Sequence, residues 1–256
     1  KHPLVFFDNA GERNDKDNFY EALNNFLESD SKSTVVLLGR PWEAPPIPCR
    51  EVEIRCFSMP QLADICSLPD ETAAKLYCLT AIPALLSLYD NEQSFEDNVR
   101  AFLRTDSSFY RLAASWMNES FRTPESYNTL LYAMAKGYNR IGEIAKFSGF
   151  PKNKCDKYIK ALIEHGLVIK VPSENGHTKY LPANSYLTLW YKCLLTAVPN
   201  ADGSFGEDVF NRFMQVFNDE LMADFYKDMC DYWLEKNINS ISTEYIDTKN
   251  SSYHNV

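Results

Sequence analysis

The sequence lacks a long apolar run, and its first residues do not predict a secretory leader. None of its 256 residues lies in an apolar stretch approaching the roughly 20 residues of a membrane-spanning helix. The first apolar run, Leu4–Phe7, meets Asp8 too soon for the core of a signal peptide. We therefore expect a cytoplasmic protein with no membrane partner. The first residue is Lys1 rather than methionine, so we expect the sequence to be a fragment or a processed chain.

Cysteine and histidine do not occur in the spacings of a metal site or a disulfide framework. The seven cysteines are scattered and odd in number, without a Cys-x-x-Cys pair, and the four histidines lie far apart. Zinc sites need close pairs of such residues, and disulfides belong to oxidising compartments. The pattern predicts free thiols in a reducing environment and no bound metal.

A phosphate-binding loop is missing as well. P-loop enzymes carry G-x-x-x-x-G-K followed by Ser or Thr, because the backbone N–H groups of this loop hold the phosphates. Neither Gly-Lys-Ser nor Gly-Lys-Thr occurs in the chain. We expect no cofactor, and ATP with Mg²⁺ only if a segment carrying this loop were restored.

The strongest positive pattern is a winged helix-turn-helix between Pro124 and Pro182. Thr123 is the expected N-cap of its first helix. Asn175-Gly176 is typical of a tight hairpin turn, because both residues tolerate a positive φ. The helices are expected from Pro124 to Gly137, around Ile141 to Ala145, and from Pro151 to Gly166, and the strands from Leu167 to Val171 and from His177 to Leu181.

The third of these helices carries lysines on the side opposite its apolar residues. Lysines near a helix N-terminus oppose the helix dipole, so another role is needed for Lys152 and Lys154. In helix-turn-helix proteins this helix enters the major groove, where an Asn such as Asn153 can read adenine. The expected nucleic-acid-binding residues are Arg140, Lys152, Asn153, Lys154, Lys157, Lys160, His177 and Lys179.

Charge is concentrated in the same segment. Pro124–Pro182 holds nine Lys and Arg against five Asp and Glu, a net charge of +4, whereas the whole chain carries −9 and has a pI of about 5.0. An acidic protein binds polyanions poorly without a local basic surface. Two alternatives remain: a solvated lysine face, and a winged helix that binds protein instead.

The sequence predicts an α/β N-terminal part followed by a mainly helical region. The apolar runs Leu4–Phe7 and Thr34–Gly39 flank a helical pattern over Asn18–Leu27, which predicts two buried parallel strands in a βαβ unit. Glu51–Phe57 alternates like a third strand. Two aromatic stretches each allow two interpretations: Tyr186–Tyr191 is a base-stacking surface or a buried helix, and Phe205–Lys236 is a partner groove or core.

Several stretches of the sequence resemble segments of one protein family, and they occur in the same order as in that family. They are Leu4–Asn9, Val35–Arg40, Ala81–Leu86 with Asn98, Ile141–Ala145 through Gly166–Val168 to Tyr186–Tyr191, and Phe205–Lys236. They are similar to the Walker B strand, sensor-1 strand, lid, winged helix and C-terminal helices of the archaeal-type AAA+ ATPases, which also occur in bacteria. The resemblance implies an incomplete P-loop-like part over residues 1–60, a lid-like subdomain over 61–122, a winged helix over 123–183, and over 184–256 a remnant of a nuclease-like domain.

The departures from this family concern its catalytic residues. The resemblance implies that Asp8 and Asn9 are a degenerate Walker B pair. Asn9 stands where the family has an acid that activates water, and an amide cannot accept a proton. From the residues alone, Asp8 can also be an aspartate that caps the loop after the strand. Arg40 replaces a small polar sensor residue. The family's nuclease-like domain holds a metal ion with a Glu-x-Lys motif. No Glu-x-Lys follows Lys236, and Asp247-Thr248-Lys249 resembles that motif only weakly. We expect neither ATP hydrolysis nor nuclease activity.

These observations favour a non-catalytic winged-helix protein that binds double-stranded DNA and is related to archaeal-type AAA+ ATPases. The first alternative is a protein-interaction or self-association module that uses the winged helix. The second is a fragment of an ATP-binding AAA+ ATPase whose P-loop lies upstream.

Overall fold

The computed structural model describes residues 4–7, 15–29, 32–38, 47–50, 52, 56–58, 61–62, 68–172, 177–237, 246–247 and 252–253. The described chain is mostly helical, with a few short strands. It divides into two compact units. Unit 1 draws on Lys1–Arg55 and Ser120–Ala183, and unit 2 on Cys56–Glu119 and Asn184–Val256.

Unit 1 contains the strand–helix–strand arrangement expected at the N-terminus. Strand β1 (Leu4–Phe7) and strand β2 (Thr34–Leu37) pair in parallel, with Leu4 opposite Thr34, and helix α1 (Lys16–Ser29) connects them. The Phe7 ring packs against Phe19 of α1 at a centroid distance of 5.2 Å. The predicted βαβ order and parallel pairing are confirmed.

The prediction that both strands are buried is wrong for one face of β1. Leu4 is 55% exposed and Phe6 is 58% exposed, whereas the alternate residues Val5 and Phe7 are half-buried. Successive side chains of a strand point to opposite faces. Only the face toward α1 is therefore covered by a described element. The expected third strand, Glu51–Phe57, lies largely outside the described residues.

Unit 2 begins with helices whose starts are set by proline and serine. Pro69 precedes the first and Pro83 opens the second, where a missing N–H costs nothing. Ser94 caps the third, its side chain accepting a hydrogen bond from the Asp97 N–H at 3.0 Å. The four helices are α2 (Asp70–Leu79), α3 (Pro83–Leu86), α4 (Phe95–Phe102) and α5 (Ser108–Ser120).

The C-terminal part of unit 2 contains two π-helical turns. The first, Trp190–Leu194, extends helix α9 (Ser185–Leu189), and the second, Phe217–Met222, joins helix α10 (Glu207–Val216) to helix α11 (Ala223–Asn237). Strands β5 (Ile246–Asp247) and β6 (Ser252–Tyr253) form a short antiparallel pair.

Aromatic side chains form the core of unit 2. Tyr186 and Phe213 are fully buried, and each packs edge-on against Phe109 of α5. Phe217 is buried beside Phe95 at a centroid distance of 5.1 Å. Burial excludes Tyr186 as a base-stacking residue and assigns the apolar face of α10 to the core rather than to a partner groove.

The other part of unit 1 contains three helices followed by an antiparallel hairpin. The turn residues Gly137, Gly149 and Gly166 all have positive φ, as expected for glycines at helix ends. We call Pro124–Pro182 the helix–hairpin unit. Its elements are α6 (Pro124–Ala135), α7 (Ile141–Ser148), α8 (Lys152–Glu164), β3 (Val168–Pro172) and β4 (Thr178–Pro182), with Val168 opposite Pro182.

Two details of this unit differ from the sequence analysis or fall outside the structure. Thr123 occupies the N-cap position of α6 as expected, but its side chain makes no capping hydrogen bond. Proline at the first helical position already removes one of the N–H groups that need a cap. The expected hairpin turn, Glu174–Gly176, lies outside the described residues.

Candidate functional site

Helix α8 is held by an apolar face and by the turn that precedes it. Cys155, Ile159 and Leu162 recur at helical spacing and are buried. Gly149 takes a left-handed conformation at the end of α7. The Phe150 N–H then donates to Ser148 Oγ at 3.3 Å. These contacts fix the axis of α8 against α7 and leave its opposite side to solvent.

The solvent side of α8 presents three of the predicted residues. Lys152, Asn153 and Lys157 are exposed. Within the described part of the chain, no carboxylate is ion-paired with Lys152 or Lys157. The structure therefore brings two uncompensated ammonium groups and one amide to the first half of this helix.

Lys160 is exposed but electrostatically compensated. Its Nζ lies 2.7 Å from Asp156 Oδ2, one turn earlier on α8. The hydrogen bond to Asp156 raises the pKa of Lys160 above its ordinary value, and the negative charge nearby adds to that effect. The Asp156–Lys160 pair has a net charge close to zero. Lys160 therefore contributes less positive charge to the surface of α8 than the sequence alone indicates.

Lys154 does not share the open surface of its neighbours. It is half-buried, with Nζ 4.0 Å from the ring centroid of Phe150 and 5.3 Å from that of Tyr158. Both distances fall within the range of a cation–π contact. The structure thus separates Lys154 from Lys160, which the sequence analysis placed on one face.

Asn153, the expected base-reading residue, is engaged locally. Its Oδ1 accepts a hydrogen bond from the backbone N–H of Lys154 at 2.9 Å. Reading an adenine with two hydrogen bonds requires both the oxygen and the amide nitrogen of an Asn. This local bond must therefore open before Asn153 can read a base in that way.

The remaining predicted residues surround α8. Arg140 is exposed at the start of α7, and its backbone N–H donates to Glu143 Oε2 at 3.0 Å. Lys152 lies beside the same turn, with Nζ 4.0 Å from the position that a Cβ on Gly142 would occupy. On the hairpin side, His177 is exposed and Lys179 is half-buried.

An exposed aromatic pair in the helix–hairpin unit was not found by sequence reasoning. Tyr138 is 43% exposed and Phe147 is 40% exposed, and their ring centroids lie 4.8 Å apart. Tyr132 packs against Phe147 at 5.9 Å. Tyr138 directly follows Gly137 in a turn, so helical periodicity gives no signal for its position.

Unit 2 contains a surface pocket whose cations are already paired. The pocket, of about 390 Å³, is lined in part by Arg100, Arg104 and Phe210. Arg100 makes two hydrogen bonds to Glu207, at 2.6 and 3.0 Å, and lies over the Phe210 ring. Arg104 pairs with Asp106 at 3.2 Å. These contacts stabilise unit 2 and leave little positive charge for an anion.

Metal-binding and membrane-spanning features are not found in the described chain. No group of three or more His, Cys, Asp or Glu side chains within the described residues is arranged to hold a metal ion. None of the described helices has the length and apolar character to span a bilayer. Asp8 and Asn9, which were predicted to be a degenerate Walker B pair, lie outside the described residues.

Comparison of the chain with protein-family models, with curated proteins and with solved structures finds no match.

Proposed function

We propose that the helix–hairpin unit is a winged helix-turn-helix that binds double-stranded DNA through α8. The observation that carries this proposal is the exposed first half of α8, where Lys152, Asn153 and Lys157 reach solvent without a described acidic partner. The second helix of such a motif is the one that enters the major groove. The three-helix order and the antiparallel hairpin support the same assignment.

Different parts of the unit would have different roles in binding. Lys152 and Arg140 flank the first turn of α7, where the helix that precedes the reading helix crosses the DNA backbone. His177 and Lys179 belong to the hairpin, which would act as the wing. Lys157 lies one turn further along α8 than Asn153 and would contact phosphate, while Asn153 would contact a base edge.

Electrostatics predicts a binding reaction that depends strongly on salt. The unit carries +4 in a chain of net charge −9, so long-range repulsion from the rest of the chain opposes binding. Each neutralised phosphate contributes about −0.9 to the slope of log K against log salt concentration. With roughly three to five phosphate contacts, we expect a slope between about −2.7 and −4.5.

The test is fluorescence anisotropy of a labelled DNA duplex of mixed sequence, titrated with the full chain at several salt concentrations. Lys157→Ala should make the slope shallower by about 0.9, because one phosphate contact is lost. Lys227→Ala is the matched control, since it removes an exposed lysine from α11 in unit 2. Equal effects of the two substitutions, or no binding at low salt, would contradict the proposal.

A second candidate function is protein–protein contact through the same unit. The exposed rings of Tyr138 and Phe147 favour it, because aromatic residues are enriched in protein interfaces. Light scattering over a concentration series would detect self-association. Tyr138→Ser with Phe147→Ser should then restore the monomer, whereas Lys157→Ala should leave the association unchanged.

The relationship to archaeal-type AAA+ ATPases is likewise a proposal, supported by the order of the quoted sequence stretches. In one version of this proposal, the chain is a segment of an ATP-binding protein whose phosphate-binding loop lies upstream. An open reading frame that extends upstream of Lys1 and encodes a Gly-Lys-Thr loop would support that form.

A further inference from the structure

Lys154 rests on two aromatic rings that approach it from different directions. Its Nζ lies 4.0 Å from the Phe150 centroid and 5.3 Å from the Tyr158 centroid. The two ring planes are nearly perpendicular, at 85°, with centroids 6.4 Å apart. We call Phe150 and Tyr158 the aromatic cradle of Lys154.

The cradle is itself held by further stacking. Tyr158 stacks on Tyr127 of α6 at a centroid distance of 4.5 Å and an interplanar angle of 26°. Tyr127 in turn stacks on Phe121 at 3.8 Å and 18°. Because this column joins α8 to α6, the position of the cradle is set by helix packing rather than by free side-chain rotation.

The cradle and the Asp156 pair restrain lysines in two different ways. Asp156 holds Lys160 by neutralising it. A ring face holds an ammonium through its quadrupole and carries no net charge, so Lys154 is ordered while its full positive charge is retained. A free lysine loses considerable rotamer freedom when it contacts a ligand, and Lys154 has already lost part of that freedom.

We propose that Phe150 and Tyr158 are positioning residues that hold Lys154 ready for a phosphate of bound DNA. This inference rests on the proposed function and assigns a role to two apolar residues that make no contact with DNA themselves. It also gives a reason for a lysine near the N-terminus of α8, where the helix dipole disfavours one.

A double-mutant cycle measured by DNA anisotropy tests the inference on the full chain. Phe150→Leu and Tyr158→Leu should each weaken binding by roughly twofold to fivefold, the fold-change that corresponds to a cation–π contact at an exposed site. In a Lys154→Gln background the same two substitutions should have no further effect. Tyr158→Phe keeps the ring and should bind like the unchanged protein.

NMR of the free protein provides a readout that does not depend on affinity. The ε-methylene resonance of Lys154 should be shifted upfield by the two rings, should return toward the ordinary lysine position in Phe150→Leu, and should move when the duplex is added. Circular dichroism of each variant identifies those that remain folded, and because the two rings are changed separately, either folded variant completes the cycle.

Four outcomes would overturn the inference. Undiminished DNA binding by the two leucine variants would show that the cradle is not needed. An equal loss in the Lys154→Gln background would show that the rings act independently of Lys154. If binding depends on Lys157 but not on Lys154, the positioning role fails while the proposed function stands. Absence of DNA binding by the unchanged chain overturns both.

Discussion

Single side chains decide how much positive charge α8 can offer a polyanion. Asp156 compensates Lys160 at 2.7 Å, and no such partner is described for Lys157. Replacing Asp156 with Asn should leave Lys160 uncompensated and remove a negative charge from the same surface. We expect tighter DNA binding and a salt slope steeper by about 0.9, measured by anisotropy.

A control for this substitution is available on another helix. Asp224 is exposed on α11, and Asp224→Asn removes the same charge from unit 2 instead of from the helix–hairpin unit. If Asp224→Asn tightens binding as much as Asp156→Asn does, the effect comes from net charge and not from Lys160.

Burial also separates the cysteines into reactive and protected thiols. Desolvation raises the pKa of Cys78 to about 12, so at neutral pH it holds almost no thiolate, the reactive form. Cys155 and Cys193 are also buried, whereas Cys49 and Cys230 are exposed free thiols. Brief alkylation followed by peptide mass mapping should label Cys49 and Cys230 and should reach Cys78 only after unfolding. Fast labelling of Cys78 in folded protein would contradict its buried position.

Helix α5 depends on a side chain from a distant part of the sequence. The buried hydroxyl of Tyr186 donates to the Phe109 C=O at 2.6 Å and accepts from the Ala113 N–H at 2.9 Å. Tyr186→Phe removes both bonds inside the core and should lower the free energy of unfolding by about 1 to 3 kcal/mol. Urea unfolding would measure this loss. Tyr226→Phe, at an exposed site of α11, should change stability little.

The same tyrosine predicts the response of unit 2 to alkali. Burial raises the pKa of Tyr186, and also that of Tyr191, above the ordinary value near 10. The folded state therefore keeps protons that the unfolded state releases. Stability from this source is complete below about pH 10 and falls as pH rises further. Urea unfolding at successive pH values should show a decline above about pH 10, and the decline should be weaker in Tyr186→Phe.

Local sequence signals predicted the helix–hairpin elements well because they act over a few residues. Gly137, Gly149 and Gly166 mark helix ends through their backbone conformation, and Pro124 marks a start. The spacing of Asp156 and Lys160 also predicts their ion pair, because residues four apart on a helix are neighbours. Sorting the residues of α8 only into an apolar and a polar side does not reveal this pair.

Features that depend on distant residues could not be predicted in this way. The position of Lys154 depends on Phe150 in a turn and on a stack that extends to Phe121. An apolar strand such as Leu4–Phe7 does not reveal which of its faces another element will cover. Both expectations failed for the same reason, namely that periodicity reports one element and not its neighbours.

For the molecule as a whole, we predict that ATP is not hydrolysed. No Gly-Lys-Ser or Gly-Lys-Thr sequence is present to hold a nucleotide phosphate. Purified protein incubated with ATP and Mg²⁺ should release no phosphate above the buffer background. Turnover that requires Mg²⁺, follows the protein through purification and disappears in Asp8→Ala would refute this prediction.

The two π-helical turns determine how this molecule tolerates changes in length. In the first, the Leu195 N–H bonds to the Trp190 C=O at 3.1 Å, a span of five residues instead of the four of an α-helix. Each such turn holds one residue more than an α-helical turn would. In a regular α-helix, deleting a residue would rotate everything that follows by about 100°. In the π-helical turn, the deletion would remove the surplus residue, restore α-helical hydrogen bonding and leave the residues that follow in their present register. A related sequence one residue shorter in this stretch is therefore expected to have an uninterrupted helix and the same apolar pattern after it, and alignments across Trp190–Leu194 should be allowed a single-residue gap.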